Sequence, residues 1–409
     1  MQSPHRSTRA GQSHYADWHV NMKVAISGAG VAGAAIAHWL QRAGHTPTLI
    51  EQAPAFRTGG YMIDFWGVGY RVACRMGIEP AIRDAGYEVQ SVRTVGADGK
   101  TKSELHVDTL GTIVGDDMIS LPRGDLAAAI YDTIDGKVDA LFGDSIATLD
   151  EHPDGVRLTF EHAEPQEFDL VIGADGLHSN VRRLVFGPEQ DYEHYLGCKV
   201  ASCVVDGYRP RDELVYLTYN VPGKQVGRFA LRGDRTLFLF VWRDEHDNAG
   251  LSPKQQLHNQ FDEAGWECAQ ILAAVDGVDD IYFDVVSQIR MDRWSQGRVM
   301  LIGDAAGCIS LLGGEGTGLA ITEAYVLAGE LQRAGGDHHR AFAAYEAQLR
   351  PFIDDKQAGA KRLIGFFATK TRFGLWFRNV AIRSFAFPPL ARMLAGSVAD
   401  DFELPDYAI

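Results

Sequence analysis

The chain has 409 residues, of which 46% are hydrophobic, 10% aromatic and 23% charged, which sets an expectation of two to three folded domains and excludes a disordered chain. Its 39 Lys and Arg against 54 Asp and Glu leave a net charge of −15, which excludes general nucleic-acid binding because that needs a basic footprint. The 44 glycines exceed ordinary usage and no collagen-like or low-complexity repeat absorbs them, so they mark tight turns and close backbone approaches.

Residues 1–21 are polar, with His5, His14 and His19 scattered among them, and read as a flexible tail with Met22 as an alternative start. No apolar signal segment is present there. The run Val24 to Gln41 is uncharged over 18 residues, but its Gly and Ala content and His38 make it a strand, turn and helix instead of a membrane span. Five cysteines (Cys74, Cys198, Cys203, Cys268, Cys308) form no C-x-x-C pair, which argues against a disulfide framework or zinc site and for a reducing, cytoplasmic compartment.

Three glycine-bearing segments follow in chain order. In the first, Lys23 to Ser27 reads as a strand, Gly28-Ala-Gly30-Val-Ala-Gly33 as a turn, and the Ala-rich stretch to Ala43 as a helix. A second strand, Pro47 to Ile50, ends in Glu51. A G-x-G-x-x-G between strand and helix, with an acid at the end of the next strand, is the dinucleotide fingerprint. Gly28 permits the turn, Gly30 admits a pyrophosphate to backbone N–H groups, Gly33 lets helix pack on strand, and Glu51 accepts from a ribose. In the second segment, Leu170 to Ile172 is a buried strand, and Asp175-Gly176 turns into a helix started by Ser179. In the third, the strand ending at Ile302 leads through Gly303-Asp304-Ala-Ala306 into a loop with Gly307, Gly313, Gly314, Gly316 and Gly318. A helix then runs from Leu319 to Arg333, and Asp304 sits at a strand end, placed to accept from a hydroxyl.

These segments together resemble the group A flavoprotein monooxygenases, the single-component aromatic hydroxylases, over roughly residues 22–350. With the C-terminal Leu404-Pro-Asp-Tyr407, they are most similar to the tetracycline destructases and related polyketide oxygenases. The resemblance implies an α/β fold: a Rossmann-type FAD-binding domain with an inserted antiparallel β-sheet substrate domain and a C-terminal helix. It also implies FAD held by Gly28, Gly30, Ala32, Gly33, Glu51 and Gln52 on its ADP side. Asp64 and Arg123 would contact the cofactor, Asp304 the ribityl chain, and Gly314, Gly316 and Thr317, within Gly313–Thr317, the isoalloxazine. Arg57 matches the position that meets the phosphate of transiently bound NADPH, or it forms a surface salt bridge. The implied activity is NAD(P)H- and O2-dependent hydroxylation of a phenolic or polycyclic aromatic molecule through a flavin C4a-hydroperoxide, in a dry pocket.

The chain departs from the family pattern G-D-A-A-H-x-x-x-P-x-x-G-Q-G at Gly307, Leu311 and Glu315. Loss of proline removes a fixed φ beside the flavin edge. Glu315 either places a negative charge near a ring that becomes anionic on reduction or is neutralised by solvent or an Arg.

Between the second and third segments the pattern becomes alternating. Gly197–Asp206, Glu213–Val221, Lys224–Arg232 and Thr236–Arg243 read as strands, Ser252-Pro253 opens a helix, and Phe283–Met291 returns as a strand. Phe238, Phe240 and Trp242 share one face, either a pocket wall for a flat substrate or core. The domains expected are 22–95, 120–190 and 284–350 for FAD, 96–119 and 191–283 for substrate, and 351–409 as a helical segment. Residues 356–392 carry eight of the 39 cations and no acid, with Phe366, Phe373, Phe377 and Val380 on one helical face. This reads as a helix docked across both domains with its basic face solvated; alternatives are that it closes the pocket, through Phe373, or touches an anionic membrane surface. No metal cluster and no Ser/His/Asp or Cys/His constellation is evident, and a monomer is expected. A reductase of the geranylgeranyl-reductase type and a cofactor-free binding module, like the GDP-dissociation inhibitors, are the competing readings; without a W-x-W-x-I-P segment, halogenation is not expected.

Overall fold

The computed structural model describes residues 21–56, 59–107, 118–244, 250–384 and 402–409. The expected tail up to Val20, Arg57, and the aromatic and basic residues Phe385, Phe387 and Arg392 lie outside these. The first sheet has six strands in the order Ser295–Gln296, Val299–Leu301, Leu170–Gly173, Lys23–Ser27, Thr46–Glu51, Asp139–Phe142. Its inner pairings are parallel, and only the two-residue edge strand runs antiparallel. Both faces of such a sheet are covered, so its strands are continuously apolar: Val24, Ala25, Ile26, Val171, Ile172 and Met300 are fully buried. The uncharged run divides as the sequence predicts, with helix Val31–Arg42 beginning directly after the glycine turn and buried from Val31 to Leu40. Helix Gly316–Arg333 packs against it.

The second sheet has seven strands in the order Tyr282–Ile289, Glu193–Asp206, Arg235–Arg243, Lys224–Leu231, Val215–Val221, Ser91–Val95, Thr101–His106. The four predicted strands are present and antiparallel to their neighbours in the hairpins. Ser91–Val95 adds to Val215–Val221 in parallel, so the sheet is not antiparallel throughout. Strand Tyr282–Ile289 pairs with Glu193–Asp206 and is therefore part of this second sheet, not of the first. Smaller sheets are formed by Ile146–His152, Gly155–Phe160 and Gln166–Phe168, and by Met62–Phe65 with Ile119–Pro122.

The aromatic stripe Phe238, Phe240 and Trp242 does not line a pocket. These side chains are 0%, 1% and 0% exposed, and they pack on helices Pro253–Phe261 and Cys268–Val275. The rings of Phe240 and Trp242 lie 5.3 and 6.0 Å from that of Phe261. Alternation assigns residues to a common face but not to a neighbour, and here the two helices cover the aromatic face. Ser252 starts the first of them with a full capping box, as Ser-Pro suggested. The opposite face, carrying Val200, Val241 and Val286, meets Leu312 of the glycine loop and Ile364.

The C-terminal part is two helices, His338–Phe367 and Arg372–Ser384, so the aromatic residues expected on one helix are divided between them. The first packs on helix Gly316–Arg333, and the second on the far edge of the second sheet. The terminal Leu404-Pro-Asp-Tyr407 returns to helix Gly316–Arg333. The Tyr407 hydroxyl donates to Glu330 at 2.7 Å, and its ring occupies the space above Gly329, where a Cβ would come within 2.2 Å of it.

Because Trp242 is core, Trp242→Ala is expected to destabilise the fold by about 3–5 kcal/mol through lost burial and a residual cavity. The check is the urea unfolding midpoint. A cost below about 1 kcal/mol would mean that the residue faces an open pocket after all.

Candidate functional site

The glycine turn is fixed by backbone contacts that leave no room for side chains. Gly28 has φ +97°, and a Cβ there would come within 2.6 Å of the Ala174 carbonyl oxygen. A Cβ on Gly33 would lie 1.8 Å from the Gly28 carbonyl oxygen. Gly30 is different: it is the N-cap of helix Val31–Arg42, and the nearest atom to a Cβ there is Arg123 Nη2 at 3.9 Å. The helix N-terminus thus opens toward a guanidinium across a gap, an arrangement that suits a pyrophosphate. Glu51 braces the turn, its two carboxylate oxygens accepting from the N–H groups of Ala29 at 2.9 Å and Ala53 at 2.8 Å. The exposed Gln52 follows it.

From this turn a cavity runs between the two sheets. It brings together Gly30, Ala32, Arg123, Asp304, Gly314, Gly316 and Thr317, seven positions expected from the sequence, although they span nearly the whole chain. The Asp304 carboxylate is open to the cavity, and the surrounding protein, by desolvating it, raises its pKa while Arg123 opposes the rise. Asp64 stands on the other side of the glycine loop, in a cleft shared with Gly314, Glu315 and Gly318, where it accepts from the Ser120 hydroxyl. Burial raises its pKa as well.

The second predicted segment serves as the cavity's fastening. Asp175 accepts from the Ser27 hydroxyl at 3.1 Å and the Val181 N–H at 3.0 Å, and Ser179 caps the helix as expected. Arg182, fully buried, donates to the Ala305 carbonyl at 3.0 Å and to Glu189 at 2.8 Å, tying this segment to the Gly303–Ala306 segment.

Glu315 is neutralised, though not by an arginine: Lys356 of helix His338–Phe367 lies 2.7 Å from its carboxylate, with both side chains largely buried. Behind Asp304, Glu323 is buried and accepts from the Gly303 N–H and, at 3.0 Å, from the Tyr345 hydroxyl. Burial pushes Glu323 up to about 7 despite those two bonds.

Sequence reasoning missed the opposite wall. Tyr61 and Tyr282 line the cavity with ring centroids 5.4 Å apart, one from the loop before Met62–Phe65 and one from the second sheet. Burial pushes the Tyr61 phenol up to about 12 and that of Tyr282 higher still. Asp284 accepts from the Tyr282 hydroxyl at 3.2 Å and faces His178 at 3.2 Å. That bond, with a further one to Glu189, raises His178 to about 9. Phe373 is not part of the cavity; it is 73% exposed on the outer helix. Among the described residues no group of His, Cys, Asp and Glu forms a metal site.

The FAD binding domain family matches residues 21–355, and the chain belongs to it. A protein of Mycobacterium tuberculosis is 41% identical over 347 residues, covering 82% of this chain and 91% of that protein. A flavin-dependent monooxygenase of Legionella longbeachae is 34% identical, covering 87% of this chain and 88% of its own. The crystal structure of the tetracycline destructase Tet(55) superposes with a TM-score of 0.80 at 32% identity, covering 95% of this chain and 99% of that one. The chain is an FAD-dependent monooxygenase of this family.

Two outcomes follow from the geometry. Gly33→Ala is expected to abolish FAD retention, because the turn cannot keep its conformation around a Cβ; a purified variant with full flavin absorbance would contradict this. Glu323, with its pKa raised from an ordinary 4.5 to about 7, holds a proton in the folded state that the unfolded chain has released. Its contribution is therefore fully present below about pH 4.5 and is lost as pH rises to 7. Glu323→Gln removes that loss, so the stability of the variant relative to the parent should rise between pH 5 and 7.5 by on the order of 2 to 3 kcal/mol in urea titrations. A difference constant over that range would mean that Glu323 is ionised throughout.

Proposed function

We propose that this member of the FAD binding domain family hydroxylates a phenolic or polycyclic aromatic small molecule, taking electrons from NADPH and one oxygen atom from O2. The observation that carries the reading is the shape and chemistry of the cavity that begins at the glycine turn. One end offers a glycine turn, a helix N-terminus and Arg123, the middle an aspartate, and the far end two phenols, their rings tilted against each other, between the sheets.

The residues present fit FAD. Gly28 and Gly33 exclude side chains from the turn, and Gly30 and Ala32 with Arg123 would hold the pyrophosphate. Glu51 and Gln52 would hold the adenosine ribose, Asp304 would accept from the ribityl hydroxyls, and Gly314, Gly316 and Thr317 would lie along the ring system. Asp64 would act from behind that loop. When bound, FAD supplies the redox chemistry, passing electrons from the nicotinamide to oxygen and an oxygen atom to the substrate. Arg57, proposed to meet the NADPH phosphate, is outside the described residues.

The chain's own contribution is placement, charge and exclusion of water. Tyr61 is held as a neutral phenol by burial and can donate a hydrogen bond to an oxygen of a flat ring without presenting charge to it, while the Tyr282 hydroxyl, whose proton goes to Asp284, can accept one. Their rings offer a face for stacking against an aromatic substrate. Lys356 offsets the Glu315 carboxylate at the loop, which keeps a negative charge from opposing electron transfer to the ring system.

The test is NADPH consumption by the flavin-loaded protein over a panel of flat phenols and tetracyclines, with hydrogen peroxide counted and 18O2 incorporation measured. Stimulation at least tenfold by one compound, with labelled oxygen in the product, is the expected result; no stimulation by any aromatic compound would overturn the substrate class. Asp304→Ala is expected to lose bound flavin or to weaken it at least tenfold, read by flavin fluorescence on dilution.

A further inference from the structure

The helix Arg372–Ser384 is amphipathic with its polarity reversed. Its inward side, positions 375, 378, 379 and 382, carries Leu375, Arg378, Asn379 and Ile382. Arg378 is only 7% exposed and donates to Asn220 at 3.0 Å, while Asn379 meets Ser103 at 3.5 Å. The outward side, positions 373, 376, 377 and 380, carries Phe373, Trp376, Phe377 and Val380, exposed by 73%, 59%, 62% and 38%. Of the six large apolar side chains exposed among the described residues, these are four. A helix stabilised only by its own domain would bury those aromatics and leave the guanidinium in water. Keeping them outside has a cost that an external apolar phase would offset.

The charge around the patch selects the partner. Lys370, Arg372 and Arg383 are exposed beside it, and no Asp or Glu occurs from Lys356 to Ser384, in a chain whose net charge is −15; of the two acids that share a groove with Arg372 and Trp376, Asp262 and Glu263, the first is paired with His258. Two copies meeting face to face through this helix would bring like charges together, because an isologous contact repeats each residue against its symmetry mate. An anionic lipid surface instead satisfies both components: Phe and Trp enter the headgroup–acyl boundary while Lys and Arg meet lipid phosphates. Among the described residues no helix is long and apolar enough to span a membrane, so the contact is peripheral. We infer that helix Arg372–Ser384 docks the protein reversibly on anionic bilayer surfaces, with Phe373, Trp376 and Phe377 as its inserted side chains.

The experiment is co-sedimentation of the full-length, flavin-loaded protein with vesicles of phosphatidylglycerol and phosphatidylcholine at low salt, against vesicles of phosphatidylcholine alone. Binding to the anionic vesicles at least tenfold stronger than to the neutral ones is expected, weakening as salt is raised. The variant F373S/W376S/F377S should lose at least tenfold of that binding while keeping its flavin absorbance and melting temperature. If that variant fails to fold, the charge reversal K370E/R372E carries the test alone, with a similar loss expected. No pelleting with anionic vesicles, equal binding to neutral ones, or binding unaffected by both variants would overturn the inference. So would a concentration-dependent dimer that the triple substitution dissolves, since a second copy would then be what covers this face.

Discussion

The fold depends on one close approach of backbone to backbone. Gly33 lies against the Gly28 carbonyl, and Gly28 against the Ala174 carbonyl, with no space for a side chain at either contact. These contacts seat helix Val31–Arg42 on the first sheet and bring the ends of strands Lys23–Ser27 and Leu170–Gly173 together. The helix N-terminus, which carries unsatisfied N–H groups, is thereby aimed into the cavity instead of into the sheet. Glu51 makes the turn rigid by accepting from Ala29 and Ala53, so the acid that the fingerprint assigns to a ribose also braces the site that would hold it. Arg182 extends the same frame, linking the segment after Ala174 to the one before Cys308 through a buried guanidinium.

The parts of the site legible in the sequence are those where backbone conformation limits residue choice. Glycines at strand–helix junctions and an acid at a strand end are visible because no other residue types satisfy those positions. The buried strand at Leu170–Ile172 was likewise readable from its short, continuously apolar run. What failed was assignment of faces. Phe238, Phe240 and Trp242 alternate correctly, yet the covering partner, two helices after residue 252, is not encoded in the alternation itself. The same holds for the outer helix: the periodicity of Phe373, Phe377 and Val380 identified a true apolar face and said nothing of whether the protein buries it. Tyr282 and Asp284 escaped notice because they are ordinary strand residues, given meaning only by Tyr61 and His178 across the cavity.

The departures from the family pattern acquire a common cause in helix His338–Phe367. Where the family pattern has histidine, Gly307 has Ile353 pressed against it: a Cβ there would approach Ile353 Cγ2 at 3.0 Å and Trp294 at 3.6 Å. Any side chain there would require Ile353 to shift. One turn further along the same helix, Lys356 supplies the cation for Glu315, and Gln357 donates to the carbonyls of Cys308 at 3.0 Å and Ile289 at 2.8 Å. Three side chains of one helix therefore support the loop from which a histidine and a proline are missing. The fixed φ that proline would impose is replaced by hydrogen bonds and packing from outside the loop. Ser310, just before Leu311, holds φ +109° in this arrangement, with its hydroxyl accepting from the Leu312 N–H. A loop held from outside is sensitive to the position of the helix that holds it. The helix continues to Phe367, a few residues before the outer helix begins at Arg372, so whatever engages that outer face is joined through a short connection to the residues that support the flavin loop.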